Sequence, residues 1–147
     1  MRKEILPFNE LSTYQLYDIL QLRSEVFVVE QDCVYQDIDG YDNKAFHVLF
    51  YNEETLVAYS RILPPGSYFK ELSIGRVIVK ETHRQKNIGH ELMKLSIDFS
   101  KNNYSQSSIK ISAQQYLIKF YESHGFSIIG EGYLEDGIPH IGMLLKS

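Results

Sequence analysis

Apolar residues fall along this chain in short blocks. Their spacing switches between two and about 3.6, and the switches mark out the elements. Residues 3 to 8 read as a first strand. Ser12 is placed to cap a helix, with Gln15 three residues on to complete a capping box. Leu16, Leu20 and Phe27 then fall near one helical face, so this helix is expected to run to about Phe27. Gln31 to Lys44 is polar and acidic and ends in Asp39-Gly40-Tyr41-Asp42-Asn43, which predicts a loop. Ala45 to Tyr51 and Thr55 to Leu63 alternate as two strands, and Asn52-Glu53-Glu54 between them is short enough for a hairpin. Pro64-Pro65-Gly66-Ser67 breaks the chain before a strand at 73 to 79. A helix is expected from about Asn87 to Lys101, with Ile88, Leu92, Leu95 and Phe99 on one face. A strand at 109 to 113 follows, then a helix from Gln114 to His124 closed by Gly125 as its C′ residue. Ser127 to Gly130 and Ile141 to Leu145 read as a last pair of strands. Hairpins on both sides of a central β-α-β crossover imply an α+β fold around one mixed sheet.

Composition narrows the class. At 147 residues, with no internal repeat or long linker, the expectation is one domain spanning 1–147. Net charge is −4, which argues against a nucleic-acid surface and for a cationic partner. A single cysteine, Cys33, excludes an internal disulfide and any multi-cysteine metal site. Met1-Arg2-Lys3-Glu4-Ile5 lacks the apolar core of a signal peptide, and no apolar run approaches a membrane span, so the expected compartment is the cytoplasm.

Two segments carry candidate chemistry. Strand 74–79 runs into the polar, basic turn Arg84-Gln85-Lys86-Asn87-Ile88-Gly89, and a helix starts there. Unpaired amides and the positive end of a helix dipole converge at such a junction and suit a phosphate group. Asn87 is one of the few non-glycine types that tolerates positive φ, and Gly89 permits close backbone approach. No Gly-Lys-Ser/Thr follows, so this is not a Walker loop, and one glycine is too few for a dinucleotide fingerprint. The second segment is Lys119-Phe120-Tyr121-Glu122-Ser123-His124-Gly125-Phe126, where Tyr121 is either helix packing or a proton donor.

In this order the two segments resemble the GNAT superfamily of acetyl-CoA-dependent N-acetyltransferases. A narrower resemblance, to the ElaA branch, covers nearly the whole chain through Leu22 to Gln31, Ile74-Gly75-Arg76-Val77 and Tyr133 to Met143. The resemblance implies a single domain with a mixed central sheet flanked by helices and splayed central strands. It implies an acyl-CoA-dependent N-acyltransferase in which an amine attacks acetyl-CoA directly through a tetrahedral intermediate. A non-catalytic CoA-binding regulatory module of the same fold is the alternative. Carried over, Val77, Ile78 and Val79 would hold the pantetheine arm, with the Val77 amide as oxyanion donor. The amides of Gln85, Lys86, Asn87, Ile88, Gly89 and His90 would wrap the pyrophosphate, and the side chains of Arg84 and Lys86 would add charge for it. Tyr121 would be the general acid. Asn87 replaces the usual first turn glycine, and Gln114 stands where an asparagine often precedes the catalytic tyrosine.

Candidates for the general base are Glu71, just before the central strand, and His140, histidine being the side chain that ordinarily titrates near neutral pH. Glu30 is a candidate for holding a cationic acceptor. Arg61 and Arg76 lie in strands and either pair with carboxylates or line the acceptor pocket. Asp37, Asp39 and Asp42 lack the calcium-loop spacing, and the five histidines lack a zinc spacing, so no metal is expected. The acceptor expected is a small-molecule or peptide amine, and many domains of this kind are homodimers.

Overall fold

The computed structural model describes all residues, Met1–Ser147. Seven strands form one sheet in the order β1-β2-β3-β4-β5-β7-β6. They are β1 (Arg2–Pro7), β2 (Phe46–Asn52), β3 (Thr55–Leu63), β4 (Leu72–Val79), β5 (Ile109–Gln114), β6 (Ser127–Glu135) and β7 (Ile138–Leu145). All neighbours pair antiparallel except β4 and β5, which are parallel and joined by the crossover helix α2 (Ile88–Asn103). Helix α1 spans Thr13–Arg23 and α3 spans Ile118–Glu122.

Alternation along the strands divides the core into two layers. Val48 and Phe50 face α2 and join Leu92, Met93 and Ile97 in one cluster. Leu49 and Tyr51 face the other way and pack with Ile19, Leu22 and Val26 of the first helical segment. Tyr121 and Phe126 belong to the α2 side. No helix is long and apolar enough to cross a membrane.

Ser12 caps α1 as the sequence predicts: its hydroxyl accepts from the Gln15 amide, and the Gln15 side chain accepts from the Ser12 amide. The helix does not stop near Phe27. It widens into a π-helical segment over Ser24–Glu30. The extra residue per turn leaves Val26 in the core while Phe27, Glu30 and Gln31 reach the cleft described below.

Two further differences concern the C-terminal third. Gln114 is not helical: it ends β5 opposite His140, and a 3₁₀ turn over Gln115–Leu117 precedes α3. Gly125 does close α3, at φ +95°, with its own amide bonded to Glu122 O and the Phe126 amide to Tyr121 O, a Schellman arrangement. The last two strands are one long hairpin rather than two short pieces. Asp136 and Gly137 turn it with φ of +51° and +79°, the two positive values a tight hairpin turn requires.

Candidate active site

The parallel pair β4 and β5 stays together only at Leu72–Ile109 and Ser73–Lys110. Beyond Ser73 the strands diverge and open a cleft through the sheet. On its other side β4 pairs with β3, but the register passes from Arg61–Gly75 to Tyr59–Ile78. Arg76 and Val77 sit in that bulge, with Arg76 at φ +50°. Val77 therefore belongs to neither ladder.

The cleft holds two cavities that meet. The larger, about 770 Å³, runs along Val77–Val79 to the turn before α2. The smaller, about 530 Å³, lies toward the tip of the β6–β7 hairpin. Val77, Gln114, Leu117 and Tyr121 line both. Gln31 and Gln114 bridge the cleft, each side-chain amide donating to the other's oxygen at 3.4 Å.

At the far end of the larger cavity, Gln85 and Asn87 take left-handed conformations at φ +64° and +65°. No backbone carbonyl accepts from the amides of Gln85 through His90. Six amides at the start of α2 thus have no backbone partner where the helix dipole is positive, an arrangement suited to an anion. Arg84 is part of this wall but is already engaged. It donates to Glu30 through Nη1 at 2.6 Å and Nη2 at 2.9 Å, and to Val79 O through Nε at 2.9 Å. His90 contacts His124 ring to ring at 3.0 Å, and burial followed by the charge of His90 lowers the pKa of His124.

Tyr121 is 7% exposed. Its hydroxyl bonds to no group of the chain, yet Arg61 Nε is the one side-chain nitrogen or oxygen that is sealed from solvent without a partner. The phenol therefore opens onto the cavity junction, and burial pushes its pKa upward. His140 lies across the smaller cavity. Its Nδ1 donates to Ile138 O at 2.7 Å, which fixes the tautomer, and Nε2 lies 3.4 Å from Glu135 Oε2.

The remaining candidates separate by position. Glu30 lies in the larger cavity beside the turn before α2 and does not line the smaller one. Glu71, half-buried at the start of β4, lines neither cavity. Arg61 lines neither as well, being buried beneath the 31–44 loop. Its Nη1 and Nη2 hold Asp39 at 2.8 and 2.9 Å, and Nη1 also holds Asp42 at 3.0 Å. Arg76 edges the smaller cavity but gives its Nε to Asp37 at 2.7 Å. Arg23, fully buried, completes the set with Asp37 and Asp42, both at 2.7 Å. The three aspartates, whose spacing argued against a calcium loop, thus neutralise three arginines. Burial opposes ionisation of Asp39, but the hydrogen bonds and charge of Arg61 prevail and hold its pKa at about 2. No group of three His, Cys, Asp or Glu side chains is arranged to hold a metal ion.

Sequence reasoning missed several lining residues. Phe27 and Gln31 required the π-helical phase, and Ser112 and Glu135 required the full hairpin. Asp136-Gly137 was a readable turn signal.

Comparison with known proteins agrees with this architecture. An acetyltransferase (GNAT) domain matches residues 10–147. Protein ElaA of Escherichia coli is 46% identical over 140 residues, covering 94% of this chain and 92% of that protein. Its crystal structure matches with a TM-score of 0.93 at 43% identity over 99% of this chain and 100% of the other. An acyl-CoA N-acyltransferase from Pseudomonas aeruginosa matches with a TM-score of 0.93 at 37% identity, over 99% of each chain. An aminoglycoside 6′-N-acetyltransferase complexed with coenzyme A shares the fold at 15% identity and a TM-score of 0.68, over 96% of this chain and 95% of that one. A splayed β4–β5 pair leading into an amide-rich turn is thus found here with a sequence match along nearly its whole length, and the chain belongs to the GNAT acetyltransferase family, in the branch that includes ElaA.

Proposed function

We propose that this protein is an N-acyltransferase that moves the acetyl group of acetyl-CoA to an amine. The observation that carries the reading is the position of Tyr121. It is a buried phenol without a partner at the point where an anion-binding channel meets a second cavity. A cofactor laid along the channel, with its pyrophosphate on the amides of Gln85 through His90, would bring its thioester to that junction. The aminoglycoside acetyltransferase of the same fold binds coenzyme A. Val77 and Val79 offer backbone to the pantetheine arm.

The residues divide the work as follows. An alkylamine has a pKa near 10, so only about one molecule in a thousand is neutral at pH 7. His140, its Nδ1 committed to Ile138 O, accepts a proton from the amine at Nε2, directly or through water, and Glu135 balances the charge. The neutral nitrogen forms a bond to the thioester carbon. The Val77 amide, outside both ladders, donates to the oxyanion of the tetrahedral intermediate. The carbon–sulfur bond breaks and Tyr121, kept protonated by burial until that point, gives its proton to the departing thiolate; the proton still on the acylated nitrogen then passes to the phenolate, so no buried phenolate persists.

A thiol-release assay over a panel of amines tests this. Transfer to at least one amine, lost in Tyr121→Phe, is expected. Tight acetyl-CoA binding with no transfer to any amine would instead establish a non-catalytic CoA-binding module.

A further inference from the structure

The charges around the smaller cavity do not balance. Its one arginine, Arg76, is spent on Asp37 and Asp39, and Asp39 is also held by Arg61. What remains on the hairpin wall is acidic. Asp136 faces the cavity with a carboxylate that meets no cation and no donor of the chain; its carbonyl alone accepts, from Cys33 Sγ at 3.2 Å. Glu135 receives only the Ser112 hydroxyl at 3.3 Å and the His140 contact at 3.4 Å. The hairpin wall thus has one carboxylate with no partner in the chain, Asp136, beside Glu135, which lies against His140. On the other wall is Tyr121, a polar group more than nine-tenths buried and bonded to nothing in the chain. The side chain is buried, but its hydroxyl opens onto the cavity with no partner in the chain, which leaves it free for a ligand.

The chemistry separates two uses of those carboxylates. A nitrogen that attacks a thioester must be uncharged. A carboxylate beside it stabilises the ammonium and opposes attack. Asp136 is suited to a different nitrogen, one that stays protonated while its neighbour reacts. Building on the N-acyltransferase reading above, we infer that the acceptor is a small diamine or polyamine, one amine reacting near Tyr121 and His140 and a second, cationic amine held by Asp136 at the hairpin tip, with Glu135 left to His140. The exposed Tyr68, packed edge-on to Tyr41 at 5.0 Å, extends the same cavity with an aromatic face for the cation or its methylene chain. The reaction consumes one amine and one thioester and yields one amide and one thiol. The second ammonium is unchanged.

The test compares kcat/KM for putrescine and spermidine with that for butylamine and hexylamine at saturating acetyl-CoA. The diamines are expected to be preferred by about tenfold or more. Asp136→Asn keeps the hairpin turn, because Asn-Gly adopts the same positive φ pair. It should cut the preference by about two- to fivefold, the range of a solvent-exposed ion pair. Glu135→Gln acts through His140, so it should slow monoamines and diamines alike. Raising salt from about 0.05 to about 0.5 M should shrink the preference in the unaltered protein and less in Asp136→Asn. Monoamines turned over as well as diamines, or a preference unmoved by Asp136→Asn, overturn the inference while leaving N-acyl transfer intact. A lysine-containing peptide preferred over every diamine overturns it too. Acetyl-CoA binding without transfer to any amine overturns both.

Discussion

Asn87 occupies the left-handed region at φ +65°, ψ +9°, and its side chain makes no capping bond to α2. Its contribution is therefore conformational, and Asn87→Val isolates it. Left-handed backbone costs an ordinary L-residue about 1–2 kcal/mol, less for asparagine and more for a β-branched side chain. The turn is exposed and its amides donate to no backbone carbonyl, so the strain is relieved by the turn opening rather than by the sheet unfolding. Once open, the turn no longer holds the amides of Gln85 through His90 in place. A loss of about 1–2 kcal/mol of cradle geometry raises the Kd for acetyl-CoA by about five- to thirtyfold. Asn87→Gly takes the same φ at no steric cost and should bind within about twofold of the unaltered protein. Isothermal titration with acetyl-CoA, beside a thermal melt without ligand, reads both quantities. Unchanged affinity in Asn87→Val refutes the reasoning. A lowered melting temperature with intact affinity refutes it equally, since the strain would then sit in the fold and not in the turn before α2.

Tyr121→Phe should reduce kcat by about a hundredfold or more while the KM for acetyl-CoA stays within about twofold. Because the hydroxyl bonds to nothing in the chain, the melting temperature should hold steady; a large drop would make Tyr121 a packing residue. Arg23→Met leaves Asp37 and Asp42 buried with fewer counterions and should cost about 3 kcal/mol in urea unfolding. A loss under about 1 kcal/mol would show that Arg61 and Arg76 suffice. Asp39 is held at about 2 against an ordinary 3.8, and Asp42 is also lowered. Between those values the unfolded chain binds more protons, so stability should be level above about pH 5 and fall as pH drops from about 4 to 2. Asp39→Asn should flatten that acid limb in urea midpoints measured across the range.

Much of the sheet was legible because its strands alternate cleanly. β2, β3 and β4 begin and end within a residue or so of the boundaries their apolar period marks. The turn into α2 was legible from Asn87 and Gly89 at a strand-to-helix junction, and its left-handed asparagine is observed. The hairpin was not. β6 is largely exposed, so Tyr133, Leu134 and Glu135 show no apolar alternation to read, and only Asp136-Gly137 marks the turn. The π-helical segment also escaped: Phe27 packs against the core as a 3.6 period expects, but it lines the cleft as well. Glu71 illustrates a different limit. Proximity in sequence to β4 does not place a side chain at the end of β4 where the strands part.

The arginine–aspartate network lies beyond sequence periodicity altogether, because its members come from α1, β3, β4 and a loop without regular structure. Its placement links stability to chemistry. Arg76 holds a left-handed conformation that costs a non-glycine residue about 1–3 kcal/mol and persists only where surroundings enforce it. Asp37 supplies that enforcement, taking Nε at 2.7 Å and, through its backbone carbonyl, Nη2 at 2.9 Å. Asp37 is in turn fixed by Arg23, which anchors it to the end of α1. The bulge so clamped is the one that withdraws Val77 from pairing with β3. The buried ion pairs are therefore better understood as a device that holds a strained strand in register than as a source of net stability, since desolvation offsets most of what such pairs gain. On that view the acidic 31–44 loop, which looks like a solvated connection in sequence, is the scaffold that shapes the β4 bulge and keeps Val77 out of the β3 ladder.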